Sequence, residues 1–113
     1  MDWITPSKRT RARNEEVVLT TIKDTVSVVR FYNDSVSRIG NSNKLIAAVH
    51  GSRLYFKEDS NGWKLTILNS SKELKTKQPL LVKFCKDHKG GYMLKYDVRK
   101  KLYYVDTNER EGE

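Results

Sequence analysis

Few side chains in this sequence could bind a soft metal or attack an electrophile: Cys85, His50 and His88. Cys85 and His88 stand three apart in Cys85-Lys86-Asp87-His88. A structural zinc site needs four such ligands converging on one point, and the sequence offers no second pair. The two residues read as a core cysteine and a loop histidine. Lys83 and Lys86 flank Cys85, and a basic neighbourhood lowers a thiol's pKa. Yet a nucleophile also needs a base in reach, and a lone thiol in an apolar run reads first as packing. The adjacent carboxylates Glu15-Glu16 and Glu58-Asp59 fall at the edges of elements, where charge solvates a turn. No glycine-rich loop with a phosphate-binding lysine is present. The expectation is a binding protein, not an enzyme, with no cofactor and no metal.

Cations interleaved with flat rings suit a different chemistry. Lys83, Lys95, Arg99, Lys100 and Lys101 lie near Tyr92, Tyr96, Tyr103 and Tyr104, while Arg30, Arg53 and Lys57 lie near Tyr32 and Tyr55. Nucleic acid asks for both: cations meet phosphates, and rings stack on bases. Lys8, Arg9, Arg11 and Arg13 add four cations near the N-terminus. The candidate nucleic-acid-binding set is therefore Lys8, Arg9, Arg11, Arg13, Arg30, Arg53, Lys83, Lys95, Arg99, Lys100, Lys101 and Tyr103. Neither an RNP aromatic motif nor a KH-type GXXG loop is present. Duplex and single strand, DNA and RNA, all stay open at this point.

The formal charge of +8 is unevenly placed. Residues 15–62 carry six basic and six acidic side chains, whereas residues 63–105 carry eleven basic and three acidic. Such clustering gives a directional field that draws in polyanions. The alternative is a protein-binding module or small inhibitor that docks the same cations on an acidic partner. A polyanion site further requires that the cations gather on one side and that carboxylates of the C-terminal stretch do not cap them.

The elements that must position these residues are short. Residues 1–14 are polar, basic and without apolar period, and read as a flexible arm; residues 107–113 read as an acidic tail. Between them, residues 15–106 read as one β-rich domain. Eight β-favouring runs are expected: Val17–Ile22, Thr25–Tyr32, Lys44–His50, Arg53–Glu58, Trp63–Leu68, Leu80–Cys85, Tyr92–Tyr96 and Leu102–Asp106. Leu80, Val82 and Phe84 alternate with Lys83 as a half-buried strand does. Lys23-Asp24, Gly51-Ser52 and Asn61-Gly62 are turn signals, the last joining Tyr55–Lys57 to Trp63–Leu65 as a hairpin. One short helix is expected over Asn33–Gly40, while Ser70–Lys77 reads as a loop. The fold class is mostly β, an antiparallel sheet or small barrel. No apolar run is long enough to cross a bilayer. A single cysteine and an N-terminus without the order of a secretory signal point to a cytoplasmic protein.

Two stretches also resemble one another. Val29-Arg30-Phe31 resembles Val82-Lys83-Phe84, and Arg53-Leu54-Tyr55-Phe56 resembles Lys101-Leu102-Tyr103-Tyr104. They raise a two-fold repeat of residues 17–58 and 63–106. Over residues 17–58 the pattern of Val26–Phe31, Asn33–Gly40, Leu45–Val49 and Arg53–Phe56 resembles the AbrB-type swapped-hairpin family. That family usually has a proline before the helix, where this chain has Asn33-Asp34. The resemblance implies DNA binding by an interlocked dimer, or by a pseudo-dimer of the two copies, and so leaves a homodimer open. The reading as a whole is a nucleic-acid-binding protein, regulatory or accessory to DNA processing.

Overall fold

A computed structural model describes residues 16–32, 35–39, 43–69 and 71–109. Strands β1 (Val17–Ile22) and β2 (Val26–Tyr32) form a hairpin whose turn residues Lys23 and Asp24 both take positive φ, as the favoured primed turn requires. Strands β3 (Lys44–His50) and β4 (Arg53–Glu58) form a second hairpin, closed by Gly51 at φ +64°. Helix α1 (Ser35–Arg38) lies between the hairpins. Asn33, Asp34 and Gly40, the outer residues of the expected helix, lie outside the described residues.

Each hairpin is the centre of its own antiparallel sheet. The remaining elements are β5 (Trp63–Lys64), β6 (Thr66–Ile67), β7 (Ser71–Thr76), α2 (Pro79–Asp87), β8 (Gly90–Tyr92), β9 (Lys95–Asp97), β10 (Leu102–Asp106) and a 3-10 turn at Thr107–Glu109. Sheet A has the order β6-β7-β2-β1-β8, and sheet B the order β5-β3-β4-β10-β9. The mostly β class read from the sequence holds, as two five-stranded sheets without barrel closure.

Alternation places Leu19, Val29, Phe31 and Leu74 of sheet A in one buried core with Leu54, Phe56 and Val105 of sheet B. The Phe31 and Phe56 rings meet edge to face at 5.1 Å. Side chains at every second position of a strand share a face, so the other faces of both sheets turn outward.

Three local expectations are corrected. The run Trp63–Leu68 is not one strand. It breaks at the buried Leu65, with β5 joining sheet B and β6 joining sheet A. The run Tyr92–Tyr96 breaks the same way at buried Leu94, between β8 and β9. A period of two marks a strand but does not say which sheet it joins. Asn61-Gly62 does not close a hairpin onto β4 either, because β5 pairs with β3. The glycine serves another need: a Cβ there would lie 2.5 Å from the Leu45 carbonyl oxygen, where the chain crosses β3.

The run Leu80–Cys85 is a helix, and Ser71–Thr76 a strand. In α2, Leu81, Phe84 and Cys85 are buried at helical i, i+3, i+4 spacing. Pro79 fits the first turn, where its missing N–H costs nothing, and the Gln78 side chain accepts from Leu81 N–H at 3.0 Å. Six residues of mixed apolar and polar type satisfy both periods, and this cap decides between them. β7 fills an interior place beside β2 although three of its six residues, Lys72, Glu73 and Lys75, are charged. The segments aligned as a repeat therefore differ in backbone: Val29–Phe31 lies in a strand and Val82–Phe84 in a helix.

Candidate nucleic-acid interface

The outer face of sheet B is built by register. Tyr55 on β4 lies opposite Tyr104 on β10, which lies opposite Lys95 on β9; Arg53 lies opposite Asp106. The two tyrosine rings are 5.4 Å apart. The Arg53 guanidinium sits 4.5 Å above the Tyr104 ring centre and donates to the Tyr55 hydroxyl at 3.3 Å. The Lys100 ammonium is 5.9 Å from the centre of the Tyr55 ring. Cations over ring faces are mutually attractive, the more so where partly desolvated. These contacts hide Tyr55, which is 5% exposed although it lies outside the core cluster.

Carboxylates of the C-terminal stretch cap two of the candidate cations. Arg53 is 3.4 Å from Asp106 and 3.9 Å from Asp97, and Lys95 pairs with Glu109. Burial alone would push the Asp106 carboxyl up, but hydrogen bonds from Asn108 N–H, the Ser52 hydroxyl and Arg53 outweigh it and hold it down. The condition that tail carboxylates leave the cations free thus fails at Lys95, through Glu109, while Arg53 is held by the strand carboxylates Asp106 and Asp97.

Two further candidates lie elsewhere. Arg30 is on the outer face of sheet A, opposite Glu73, whose carboxylate it binds together with Lys75. Lys83 is on α2 and pairs with Asp87 at 3.0 Å. The cations therefore do not all share one side. Tyr103 packs against the core and contacts Tyr96 at 4.9 Å between ring centres. Lys8, Arg9, Arg11 and Arg13 lie outside the described residues.

What remains is the β9–β10 turn. Arg99, Lys100 and Lys101 are exposed there, and none pairs with a carboxylate among the described residues. Asp97 organises the turn: one of its oxygens accepts from the backbone N–H of Arg99 at 3.0 Å and of Lys100 at 3.1 Å. The Lys100 N–H bond lowers the Asp97 carboxyl; desolvation opposes it, and the Arg99 N–H and the charges of Lys100 and Arg53 complete the lowering. Lys101 closes the turn at φ +57°. Lys57 is exposed one residue beyond Phe56, whose partner is Tyr103, so it belongs to the same end of the sheet. Tyr96, at the start of the turn, is 48% exposed.

Two buried acidic residues escaped the sequence reading. Glu73 is 3% exposed and Glu16 is 5% exposed. Glu16 accepts from Leu94 N–H and from Arg38, each at 3.1 Å, pinning the crossing between the sheets. A charge next to another charge in sequence looks like a solvated turn, and nothing local marks it as buried. Cys85, by contrast, is a core residue: burial pushes its thiol up to about 12. No cluster of His, Cys, Asp and Glu able to hold a metal ion occurs among the described residues, and no described helix is long and apolar enough to cross a membrane. No family model, curated protein or solved structure matches the chain.

Proposed function

We propose that this chain binds nucleic acid through the β9–β10 turn, in a regulatory or processing-accessory role. Arg99, Lys100 and Lys101, with Lys57 beside them, contact successive phosphates, and the exposed Tyr96 ring is the place for one base. The observation that carries this reading is the uncapped cation triplet, held in one turn by Asp97, while Arg30, Arg53, Lys83 and Lys95, the other candidate cations among the described residues, are paired with carboxylates. Arg53 covers the Tyr104 ring and Tyr55 is buried, so these two rings offer a base little surface to stack on. Phosphate contacts dominate such an interface. The swapped-hairpin resemblance of residues 17–58 turns the same reading towards duplex DNA.

Fluorescence titrations with single- and double-stranded oligonucleotides at two salt concentrations test the proposal. Alanine at Arg99, Lys100 and Lys101 together should weaken binding far more than alanine at the exposed Lys64, Lys77 and Lys86. It should also flatten the log–log salt dependence by roughly 2–3, given about 0.7–0.9 per phosphate contact. Equal losses in the two triple variants would leave charge number as the whole explanation. Absence of binding to every oligonucleotide at low salt would refute the reading and favour an acidic protein partner.

A further inference from the structure

Strand β3 is paired on both sides only at its beginning. On one side β4 accompanies it from Leu45 to His50. On the other, β5 reaches Lys44 and Leu45 and then leaves for the far sheet. Among the described residues nothing pairs with Ile46–His50 on that second side. The direction of each peptide group follows from the bonds at the start of the strand. The Lys44 carbonyl accepts from Asp59 N–H on the β4 side, and the Asn43 carbonyl accepts from Leu65 N–H on the β5 side. Peptide groups alternate in direction along a strand, so the N–H and C=O of Ala47 and Val49 point out of the sheet edge.

Proteins usually blunt such an edge with lysine, proline, a bulge or a covering loop. Here Ile46-Ala47-Ala48-Val49 carries no charge and no proline. Beside it runs an apolar groove of about 310 Å³, lined by Ala47, Val49, Trp63, Leu80 and Leu81 among others. Val49 and Leu80 are 39% and 66% exposed.

We propose that two copies of this chain pair edge to edge through β3, antiparallel, about a two-fold axis at Ala48. This arrangement is self-complementary in three respects. Placing Ala47 opposite the partner's Val49, and Val49 opposite the partner's Ala47, satisfies every outward N–H and C=O of both residues with four hydrogen bonds. Ala48 then faces the partner's Ala48 across the two-fold axis as a non-hydrogen-bonded pair, where Cα atoms approach to about 4.5 Å. The partner's Val49, on the same face as Ala47, enters the groove beside Leu80, and the reverse contact is made by symmetry, as an isologous interface demands.

The charge of the β9–β10 turn does not oppose the pairing. The basic β9–β10 turn lies at the other edge of sheet B, three strands from β3. In a joined sheet the two β9 strands are seven strand spacings apart, roughly 34 Å at about 4.8 Å per strand. That is well beyond the screening length of about 8 Å at physiological ionic strength. The pairing does not depend on the nucleic-acid reading.

Sedimentation over a wide concentration range provides the test. The wild-type chain should show a monomer–dimer equilibrium, and Val49→Lys should weaken it by about tenfold or more. Circular dichroism checks that the variant folds. Independently, Ala48→Cys should oxidise to a covalent dimer, since facing Cα atoms at about 4.5 Å fall within the span of a disulfide. Ser52→Cys, in the hairpin loop, should not crosslink, and buried Cys85 should not interfere. A wild-type chain that stays monomeric at all concentrations overturns the proposal and leaves the edge to a strand from a different protein. So does a dimer that Val49→Lys leaves intact, or crosslinking as fast at Ser52→Cys as at Ala48→Cys.

Discussion

Arg53 on β4 lies directly across the strand pair from Asp106 on β10, its Nε 3.4 Å from the carboxylate. The other sheet repeats the relationship, with Arg30 opposite Glu73 and a tyrosine two residues on, Tyr32, accepting from the guanidinium at 3.1 Å. Opposite charges on facing strand positions stabilise a sheet modestly. Their consequence for binding is larger: both arginines are held by the protein's own acids, and of the candidate cations among the described residues those of the β9–β10 turn are left without a carboxylate partner.

That pairing has a pH signature. Asp106 and Asp97 are both held below the ordinary carboxylate range in the folded chain. A depressed folded pKa contributes stability that is present above the unfolded value and lost as pH falls through the folded one. Thermal stability should therefore fall below the usual carboxylate range, and Asp106→Asn should show a lower midpoint at neutral pH with a shallower acid limb. Identical acid limbs in wild type and variant would show that this carboxylate does not contribute.

Asp97 separates turn shape from charge. Asp97→Ala removes a negative charge from the middle of the cation triplet, so charge number alone demands tighter binding to a polyanion. It also removes the acceptor for two backbone N–H groups. The expected result is weaker binding, measured by anisotropy at low salt.

Lys101 should show stability and affinity moving in opposite directions. A non-glycine residue at φ +57° is in the strained left-handed region. Lys101→Gly should stabilise the fold by about 0.5–1 kcal/mol in urea unfolding. The same change should weaken oligonucleotide binding and reduce the salt slope by roughly 0.7–0.9.

Cys85 should be inert towards iodoacetamide in the native protein and react on unfolding, because its thiol is buried and pushed up to about 12. A folded value raised above the unfolded one, about 8.5, gives stability fully present below that value and lost as pH climbs towards 12. Unfolding free energy should fall above the unfolded value by on the order of 1.4 kcal/mol per pH unit. Cys85→Ala should lack this part of the alkaline decline.

Glu16 should be the most costly acidic residue to truncate. Glu16→Ala leaves the Leu94 N–H without its acceptor and takes a carboxylate from Arg38. A loss of about 2–4 kcal/mol is expected for breaking a buried charged interaction. Glu16→Gln keeps an acceptor for the N–H and should lose clearly less in the same unfolding measurement.

What the sequence made legible is local. The strands Val17–Ile22, Lys44–His50, Arg53–Glu58 and Leu102–Asp106 have the expected limits, since alternation and turn residues are properties of neighbours. The Arg99-Lys100-Lys101 turn falls in the gap between the expected runs Tyr92–Tyr96 and Leu102–Asp106, so it is legible for the same reason. The pairing of Arg53 with Asp106 was not, because it depends on which strands become neighbours. Nor was the exchange of sheets at Leu65 and Leu94, where one apolar residue per crossing is all the chain displays. For α2 the signal was present in Gln78-Pro79, a helix start that alternation at Leu80, Val82 and Phe84 obscured.

The order in which the chain visits its sheets bears on its synthesis. Strand β4 is complete at Glu58, yet its neighbour β10 does not begin until Leu102. Until then β4 is paired on one side alone, and Tyr103 and Val105, which flank Phe56 and Leu54 in the finished sheet, are missing from the core. Neither residues 16–62 nor residues 63–109, expressed alone, should yield a stable product, because each sheet draws strands from both.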